Sequence, residues 1–153
     1  MGLTLFRYPG GKTKLRHNIQ KSLNDIFSTR PHLEYREPFF GGGSIGLEFI
    51  NKNKPESIWI NDKDNGIACL WNSIIKYPEQ LKQMIRDFTP SPECFYLYKN
   101  DLTNLSSLSG EKTKEEIIEF GFKKLAIHQI SYSGLGTKSG GPLGGKSQKS
   151  KYK

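Results

Sequence analysis

The stretch Glu37–Ser44, which reads EPFFGGGS, decides the fold of this 153-residue chain. Residues 34–40 have the pattern of a strand, and they run directly into three glycines, Gly41 to Gly43. Ser44 can cap the short helix that follows, because a serine hydroxyl accepts from the backbone N–H groups of a helix start. A strand, a glycine-rich turn and a helix N-terminus together form the nucleotide-cofactor site of a Rossmann-like sheet.

Two common glycine patterns bear on this turn. Gly41, Gly43 and Gly46 have the spacing G-x-G-x-x-G of a dinucleotide site, a spacing that alone is a weak signal. The Lys-Ser/Thr ending of a phosphate-binding loop is absent, which disfavours a phosphate-binding nucleotidase or kinase. A generic tight turn between a strand and a helix remains an alternative.

An acidic residue follows the next predicted strand at a matching distance. Residues 57–61 are predicted to form that strand, and Asp62 comes 62 − 41 = 21 residues after Gly41. An acid about 20 residues past such glycines can accept hydrogen bonds from ribose hydroxyls. Asp62 could instead cap the helix predicted to begin near Asn65. The two motifs together favour a cofactor with an adenosine ribose.

The order of elements predicts an α/β fold with a parallel sheet. A helix over 12–27, the strand, the glycine turn, a helix, the second strand and a helix over 65–76 alternate along the chain. Such alternation indicates parallel strands joined by right-handed crossovers. The apolar residues of the helix over 65–76 are predicted to face the core; they are Ile67, Leu70, Trp71, Ile74 and Ile75.

The character of the sequence changes at residue 77. Helices are predicted over 78–88, 92–100 and 113–130, and no strand is evident among them. Thr113 can cap the last helix, with Glu116 placed three residues on as in a capping box. The apolar side of that helix is predicted to hold Ile117, Phe120, Leu125 and Ile130. The chain is therefore predicted to divide into residues 1–76, half of a cofactor-binding domain, and residues 77–153, a small helical region.

Basic residues collect at the end of the chain. The net charge is +8, yet residues 1–119 hold 16 Lys and Arg against 15 Asp and Glu. The last 34 residues hold seven lysines and no acid, and from Ser131 onward they are mostly Gly, Ser and Lys. This composition predicts a loop or hairpin, and a one-sided basic segment is typical of a polyanion binder. A solvated, disordered tail is the alternative.

Several classes of protein are disfavoured by what the sequence lacks. No apolar run approaches the roughly 20 residues of a membrane span, and residues 1–7 have no signal-peptide pattern. Cys69 and Cys94 have neither a second cysteine nor a histidine at ligand spacing. We therefore expect no metal site and two reduced thiols in a cytosolic protein.

In order along the chain, these motifs resemble those of the Dam-like, D12-class DNA adenine methyltransferases. Tyr8–Lys12, which reads YPGGK, resembles the first motif of that family, although alone it would indicate an ordinary Pro-Gly turn. Glu37–Ser44 resembles the second motif, and Asn61-Asp62 resembles the third. Ser131–Gly136, which reads SYSGLG, resembles the Tyr/Phe-Asn-Gly-Leu segment of the target-recognition region.

The resemblance implies a fold, an activity and a cofactor. The fold is the class I S-adenosylmethionine-dependent methyltransferase fold, with a Rossmann-like sheet that is incomplete here and a helical target-recognition subdomain. The activity is methyl transfer from S-adenosyl-L-methionine to the exocyclic amine of adenine in double-stranded DNA, often within restriction-modification systems. The resemblance also implies a cytoplasmic, bacterial or phage-encoded protein associated with the nucleoid.

Site residues follow from the same resemblance. The cofactor contacts are Tyr8, Lys12, Gly41, Gly42, Gly43 and Asp62, and the DNA contacts are Tyr132, Ser133, Lys138, Lys146 and Lys149. Ser133 stands where the family often has Asn, and Thr137 stands near where some members have Arg. Because Asn and Arg read bases by bidentate hydrogen bonds, their absence leaves the target sequence undetermined.

The family's catalytic tetrapeptide, Asp-Pro-Pro-Tyr or a close variant, is absent. Its acid and a backbone carbonyl accept the amine hydrogens of adenine, and its aromatic ring stacks on the flipped base. The chain has eight prolines and no two are adjacent. We therefore expect a truncated or split methyltransferase that is inactive alone. A half-enzyme completed by a second chain with this tetrapeptide, and a non-catalytic DNA-binding module, are the alternatives.

Overall fold

Six α-helices and one pair of parallel strands make up the part of the chain that the structure describes. The structure, a computed structural model, describes residues 4–6, 15–30, 32–53, 55–105, 110–148 and 152. It divides into two compact units, Met1–Asp62 and Lys63–Lys153. The predicted mixed α/β class is confirmed, whereas the Rossmann-like detail and the division at residues 76 and 77 stay predictions.

The first unit contains both strands. Its elements are α1 (Arg16–Thr29), β1 (Glu34–Glu37), α2 (Gly46–Asn53) and β2 (Ser57–Ile60). The strands are parallel, and their register pairs Glu34 with Ser57 and Glu37 with Ile60. The connection between them passes through α2, as parallel pairing requires.

An aromatic cluster forms the core of the first unit. Phe49 of α2 is fully buried, and its ring stacks on that of Tyr35 with centroids 4.6 Å apart. The edge of Phe27, from α1, meets the same ring with centroids 4.7 Å apart. Offset and edge-on arrangements are the ones that aromatic rings prefer. This cluster fixes β1 against the two helices and so positions the turn that follows β1.

The second unit is helical. Its elements are α3 (Asn65–Lys76), α4 (Pro78–Asp87), α5 (Pro92–Asn104) and α6 (Lys114–Ile130). α6 packs against the other three helices. The predicted bounds of α3 are confirmed, and the capping box of Thr113 and Glu116 is present. The predicted end of α5 at residue 100 is wrong, because the helix continues for one more turn.

Two short 3₁₀ helices, Tyr132–Gly134 and Gly136–Lys138, follow α6. The chain then turns back, and Ser131 forms an isolated antiparallel bridge with Pro142. This agrees with the predicted loop or hairpin. No helix among the described residues is both long and apolar enough to span a membrane.

Candidate functional site

The first candidate region lies at the carboxyl ends of β1 and β2. Backbone pairing continues past both strands, because the Asn61 N–H donates to the Glu37 carbonyl at 3.0 Å and the Phe40 N–H donates to the Asn61 carbonyl at 2.9 Å. The Gly41 N–H then donates to Asp62 Oδ2 at 2.8 Å. The glycine turn and the acid, 21 residues apart in the chain, are therefore hydrogen-bonded neighbours.

The backbone of the glycine turn explains why glycines stand there. Gly41 and Gly43 have φ angles of +51° and +74°, in the left-handed region that other residues rarely adopt. The Gly43 carbonyl accepts from the Leu47 N–H at 3.0 Å and so begins α2. A Cβ at Gly43 would lie 2.9 Å from Leu47 Cγ. Gly43 is thus required by packing, while Gly41 turns its N–H toward the acid.

Asp62 does not cap α3, so that alternative is wrong. Asp64 is the cap, and its Oδ1 accepts from the Ile67 N–H at 3.2 Å. Its Oδ2 accepts from Nζ of Lys124, a buried lysine on α6, at 2.5 Å. The two acids of the segment Asp62-Lys63-Asp64 therefore make different contacts. Asp64 caps α3 and pairs with Lys124, whereas Asp62 accepts the hydrogen bond from the glycine turn.

The start of the chain is also held at this turn. The Gly42 carbonyl accepts from the Leu5 N–H at 3.0 Å and from Thr4 Oγ1 at 3.1 Å. The segment just before the first motif therefore contacts the glycines of the second motif. Tyr8 and Lys12, the predicted cofactor contacts of the first motif, lie outside the described residues.

A tyrosine–glutamate pair lies in β1, the strand that precedes the turn. Tyr35 Oη donates to Glu37 Oε2 at 2.7 Å. Burial and the adjacent carboxylate raise the pKa of Tyr35, so that its hydroxyl stays a donor. A Cβ at Gly46 would lie 2.6 Å from the same Glu37 oxygen. The carboxylate of Glu37 thus lies against the start of α2, where negative charge is favoured.

The residues at this edge of the sheet fit an adenosine ribose. Asp62 is only partly buried, and a carboxylate is a pure acceptor that suits the two donor hydroxyls of a ribose. Ligands of open parallel sheets bind outside the carboxyl ends of the strands, where Asp62 and Gly41 lie. Among the described residues, no cluster of His, Cys, Asp or Glu side chains could hold a metal ion.

The second candidate region is the loop 131–139, directly after α6. Two buried serines hold its backbone: the Gly136 N–H donates to Ser131 Oγ at 2.8 Å, and Ser139 Oγ donates to the Gly141 carbonyl at 2.7 Å. Tyr132 is tied to the same return segment, because its N–H donates to the Gly141 carbonyl at 3.0 Å. The loop is thus a folded structure that rests on hydrogen bonds to small side chains.

A buried histidine supports this loop from α6. The Nδ1 of His128 lies 2.9 Å from the Gly134 carbonyl. The ring lies against Gly136, where an added Cβ would be 2.7 Å from His128 Cε1. Burial lowers the pKa of His128, and the charge of Lys124 acts in the same direction, while the Gly134 hydrogen bond and Asp64 act against it. His128 is therefore a neutral structural group near pH 7.

The predicted DNA contacts fall on this loop and on the segment after it. Tyr132 is 64% exposed, and Ser133 and Lys138 are exposed as well. Lys146 is exposed, with its Nζ 6.0 Å from the ring centroid of Tyr96 on α5. Lys149 lies outside the described residues. The structure thus brings Tyr132, Ser133 and Lys138 onto one loop, and the predicted cofactor contacts that it describes lie in the other unit.

Sequence reasoning missed three residues of this region. Lys99 Nζ donates to the Ser139 carbonyl at 2.8 Å, and Tyr96 lies beneath Lys146. His128 lies behind the loop. Tyr96 and Lys99 are spaced by three on a predicted helix, which is a signal for one face, but their proximity to residues 139–146 depends on tertiary packing. The basic segment is therefore not a free tail over its described residues.

Of the comparisons with known proteins, the scan against family models found a match. No curated protein matches the chain. The model of one family, described as D12 class N6 adenine-specific DNA methyltransferase, matches residues 8–136. That span begins in the first motif and ends within the loop after α6, so it includes the first candidate region and the first six residues of the second. This 153-residue chain therefore belongs to the D12 class N6 adenine-specific DNA methyltransferases.

Proposed function

We propose that this chain provides the cofactor-binding and target-recognition parts of a site-specific DNA adenine methyltransferase. Methyltransferases of the family use S-adenosylmethionine, and their substrate is DNA. The observation that carries the proposal is the 2.8 Å hydrogen bond from the Gly41 N–H to Asp62. It joins the two motifs at the carboxyl edge of a parallel strand pair, where a nucleoside cofactor would bind.

The cofactor would be held by the first unit. In this proposal Asp62 accepts from the ribose hydroxyls, Gly41 to Gly43 shape the methionine side of the pocket, and Tyr8 and Lys12 complete it. When bound, S-adenosylmethionine supplies an electrophilic methyl group on its sulfonium centre. The part of these residues is to orient that methyl group, since accurate placement lowers the barrier of a displacement.

The DNA would be held by the second unit. Tyr132, Ser133 and Lys138 lie on a loop whose backbone is fixed from within, and Lys146 and Lys149 follow in a segment without acids. Lysines bind phosphates without regard to sequence, whereas an exposed ring on a rigid loop can reach the bases. In this proposal residues 77–153 are the target-recognition region, and the protein works in the cytoplasm beside the nucleoid.

The chemical step is proposed to need residues that this chain does not contain. No Asp-Pro-Pro-Tyr or other Pro-Pro sequence occurs in its 153 residues. Such a group must accept the hydrogens of a weakly nucleophilic amine while the methyl group is transferred. We propose that this chain is a truncated form of the enzyme and is inactive alone.

A half-enzyme completed by a second chain is the second candidate, and the exposure of β2 fits it as well as it fits the truncated form. Ile58 and Trp59 are adjacent in β2, so their side chains point to opposite faces of the sheet. They are 46% and 47% exposed. Strands of parallel sheets are normally covered on both faces, so a further layer that carries the catalytic tetrapeptide would bury both side chains. A non-catalytic DNA-binding module is the third candidate.

Binding of S-adenosylmethionine to Asp62→Asn tests the cofactor site. The amide oxygen of asparagine can still accept from the Gly41 N–H, so the turn should persist. The loss of the charged acceptor should weaken binding about tenfold or more in calorimetry, because hydrogen bonds to charged groups contribute about 1.5–3 kcal/mol. Glu34→Gln, at the opposite end of β1, is the matched control and should bind normally. Equal affinity of Asp62→Asn and the unaltered chain would contradict the proposed site.

Methyl transfer to unmethylated duplex DNA separates the three candidates. Radiolabelled methyl transfer by the chain alone should be undetectable. Transfer restored by a second chain with the catalytic tetrapeptide would establish the half-enzyme. Binding of cofactor and DNA without transfer under either condition would favour the non-catalytic module. Transfer by the chain alone that Asp62→Ala abolishes would refute the proposal that the catalytic group lies elsewhere.

A further inference from the structure

A basic and aromatic surface lies on α5, where the segment after α6 packs against that helix. Lys99 of α5 reaches the Ser139 carbonyl at 2.8 Å, and Lys146 lies over the ring of Tyr96. Further along, Tyr152 packs against the core cluster that contains Phe95. We call Tyr96, Lys99 and Lys146 the α5 patch.

The lysines of this surface differ from Lys123 and Lys124 of α6. On α6, Lys123 pairs with Asp101 at 2.7 Å and Lys124 pairs with Asp64 at 2.5 Å. Within the described part of the chain, neither Lys99 nor Lys146 forms an ion pair with a carboxylate. Lys138, on the neighbouring loop, forms none with a described residue either. The positive charges of Lys99, Lys138 and Lys146 are thus not offset by a described carboxylate.

Tyr96 is the aromatic member of the patch. Its side chain is 43% exposed, although the ring meets that of Phe95 edge-on with centroids 5.2 Å apart. The Nζ of Lys146 lies 6.0 Å from its centroid, within the range of a cation–π contact. Such a contact restrains a long lysine side chain without cancelling its charge. The patch therefore presents a positioned cation beside an accessible phenol.

A nucleic-acid backbone is the partner that fits this chemistry. Lysines neutralise phosphates, and tyrosine hydroxyls donate to phosphate oxygens. An acidic protein segment would pair with the two lysines, but its carboxylates alone would make no use of the exposed Tyr96 ring. Glu93 precedes Tyr96 by one helical turn on α5, and Asp101, two residues after Lys99, is paired with Lys123. The Ser91 side chain lowers the pKa of Glu93, so this acid is charged and should weaken the binding of phosphate.

We propose that the α5 patch is a second DNA contact, which grips the phosphate backbone of duplex DNA beside the bases reached by the loop 131–139. The inference rests on the proposed function, because it takes that loop as the target-recognition element. It adds a helix to the interface. Because Lys99 of α5 donates to the Ser139 carbonyl, the helix proposed to bind the phosphates is also hydrogen-bonded to the loop.

Fluorescence anisotropy of a labelled DNA duplex, measured across a salt series, tests the proposal. Lys146→Gln should weaken binding roughly threefold to tenfold and reduce the salt slope by about 1, equally for different sequences. Tyr96→Ala should weaken binding roughly threefold to tenfold. Tyr96→Phe keeps the ring and should retain part of the affinity, while Glu93→Gln should strengthen binding.

Lys114→Gln is the matched control. Lys114 is also exposed and lies over an aromatic ring, with its Nζ 5.5 Å from the centroid of Tyr77. It stands at the start of α6, a 17-residue helix, whereas the loop lies at its end, about 25 Å away along the axis at 1.5 Å per residue. Its replacement removes the same charge and the same type of contact as Lys146→Gln. Because Lys114 lies far from the loop, DNA binding should change less than about twofold.

The outcomes separate this inference from the proposed function. If Tyr132→Ala and Lys138→Gln weaken binding while Tyr96→Ala and Lys146→Gln behave like the control, the loop binds DNA and the α5 patch does not. If the unaltered chain shows no salt-dependent binding to duplex DNA, both proposals are overturned. Circular dichroism of each variant excludes unfolding as the cause of a loss. If Tyr96→Ala weakens DNA binding and Lys146→Gln does not, the α5 patch does not bind the phosphate backbone, and the inference is overturned.

Discussion

Gly136→Ala should disrupt the loop after α6 through two separate effects. Gly136 has a φ angle of +59°, a conformation that disfavours a side chain. The new Cβ would lie 2.7 Å from Cε1 and 2.9 Å from Nε2 of His128. The ring has little room to move away, because His128 is only 6% exposed and its Nδ1 is bonded to the Gly134 carbonyl. We therefore expect strain and a clash together.

Other glycines of the same segment separate the two contributions. Gly145 has a φ angle of +70°, and a Cβ there would meet no atom within 4 Å, so Gly145→Ala has the strain without the clash. Left-handed strain costs about 1 kcal/mol, and overpacking costs about 1–3 kcal/mol. Gly136→Ala should therefore lower the free energy of unfolding by about 2–4 kcal/mol, and Gly145→Ala by about 1 kcal/mol. Gly140→Ala, which has neither effect, should be close to neutral.

Urea unfolding followed by tryptophan fluorescence can measure these differences. Trp71 is buried in the second unit and Trp59 lies in the first, so a Trp59→Phe background leaves one reporter for the unit that holds the loop. Adding His128→Ala should recover the part of the loss that comes from the clash, which a double-mutant cycle isolates. If Gly136→Ala is no more destabilising than Gly145→Ala, the histidine ring does not define the loop, and the reasoning fails.

Three further predictions concern the packing and charge of the second unit. Gly121→Ala should lower the free energy of unfolding by about 2 kcal/mol in the same titration, because its Cβ would lie 2.9 Å from the Cys69 carbonyl oxygen of α3. Burial lowers the pKa of His128 in the folded chain below its ordinary value of 6.5. As the pH falls below about 6.5, the unfolded chain therefore binds more protons than the folded chain, and the free energy of unfolding should decrease. His128→Gln removes this proton uptake and should flatten a plot of unfolding free energy against pH. Asp64→Asn should lower the melting temperature more than Lys124→Met, because the former leaves a 3% exposed lysine without its partner and the latter leaves a 35% exposed acid.

Local signals in the sequence predicted much of the fold. α3 begins and ends where its apolar spacing and flanking residues indicate, and the capping box of Thr113 and Glu116 is present. Proline at the first turn correctly marks the starts of α4 and α5. The proximity of Gly41 and Asp62 follows from strand order, because the carboxyl ends of parallel neighbours share one edge of a sheet. All of these features depend on a few neighbouring residues or on topology alone.

The buried faces of the helices were harder to predict. The apolar side expected for α6 was wrong in part, because Ile118, Phe122 and Ile127 are buried while Phe120 is only partly so. α6 packs against three helices and the loop, so it has no single buried stripe from which a period could be read. Ile75, expected in the core from α3, is exposed. Periodicity assumes one buried face for each helix, and α6, with neighbours on several sides, does not meet that assumption.

The loop 131–139 shows how a sequence of small residues can form a rigid surface. Glycine and serine usually give flexible segments, because their backbones lose much entropy when they are ordered. Here Ser131, Ser139 and His128 each make a hydrogen bond to the backbone of the loop or its return segment, at 2.8, 2.7 and 2.9 Å. At about 0.5–1.5 kcal/mol each, such bonds offset part of that cost. The small residues therefore support the loop from within, which leaves the large polar side chains, Tyr132 and Lys138, exposed for a partner.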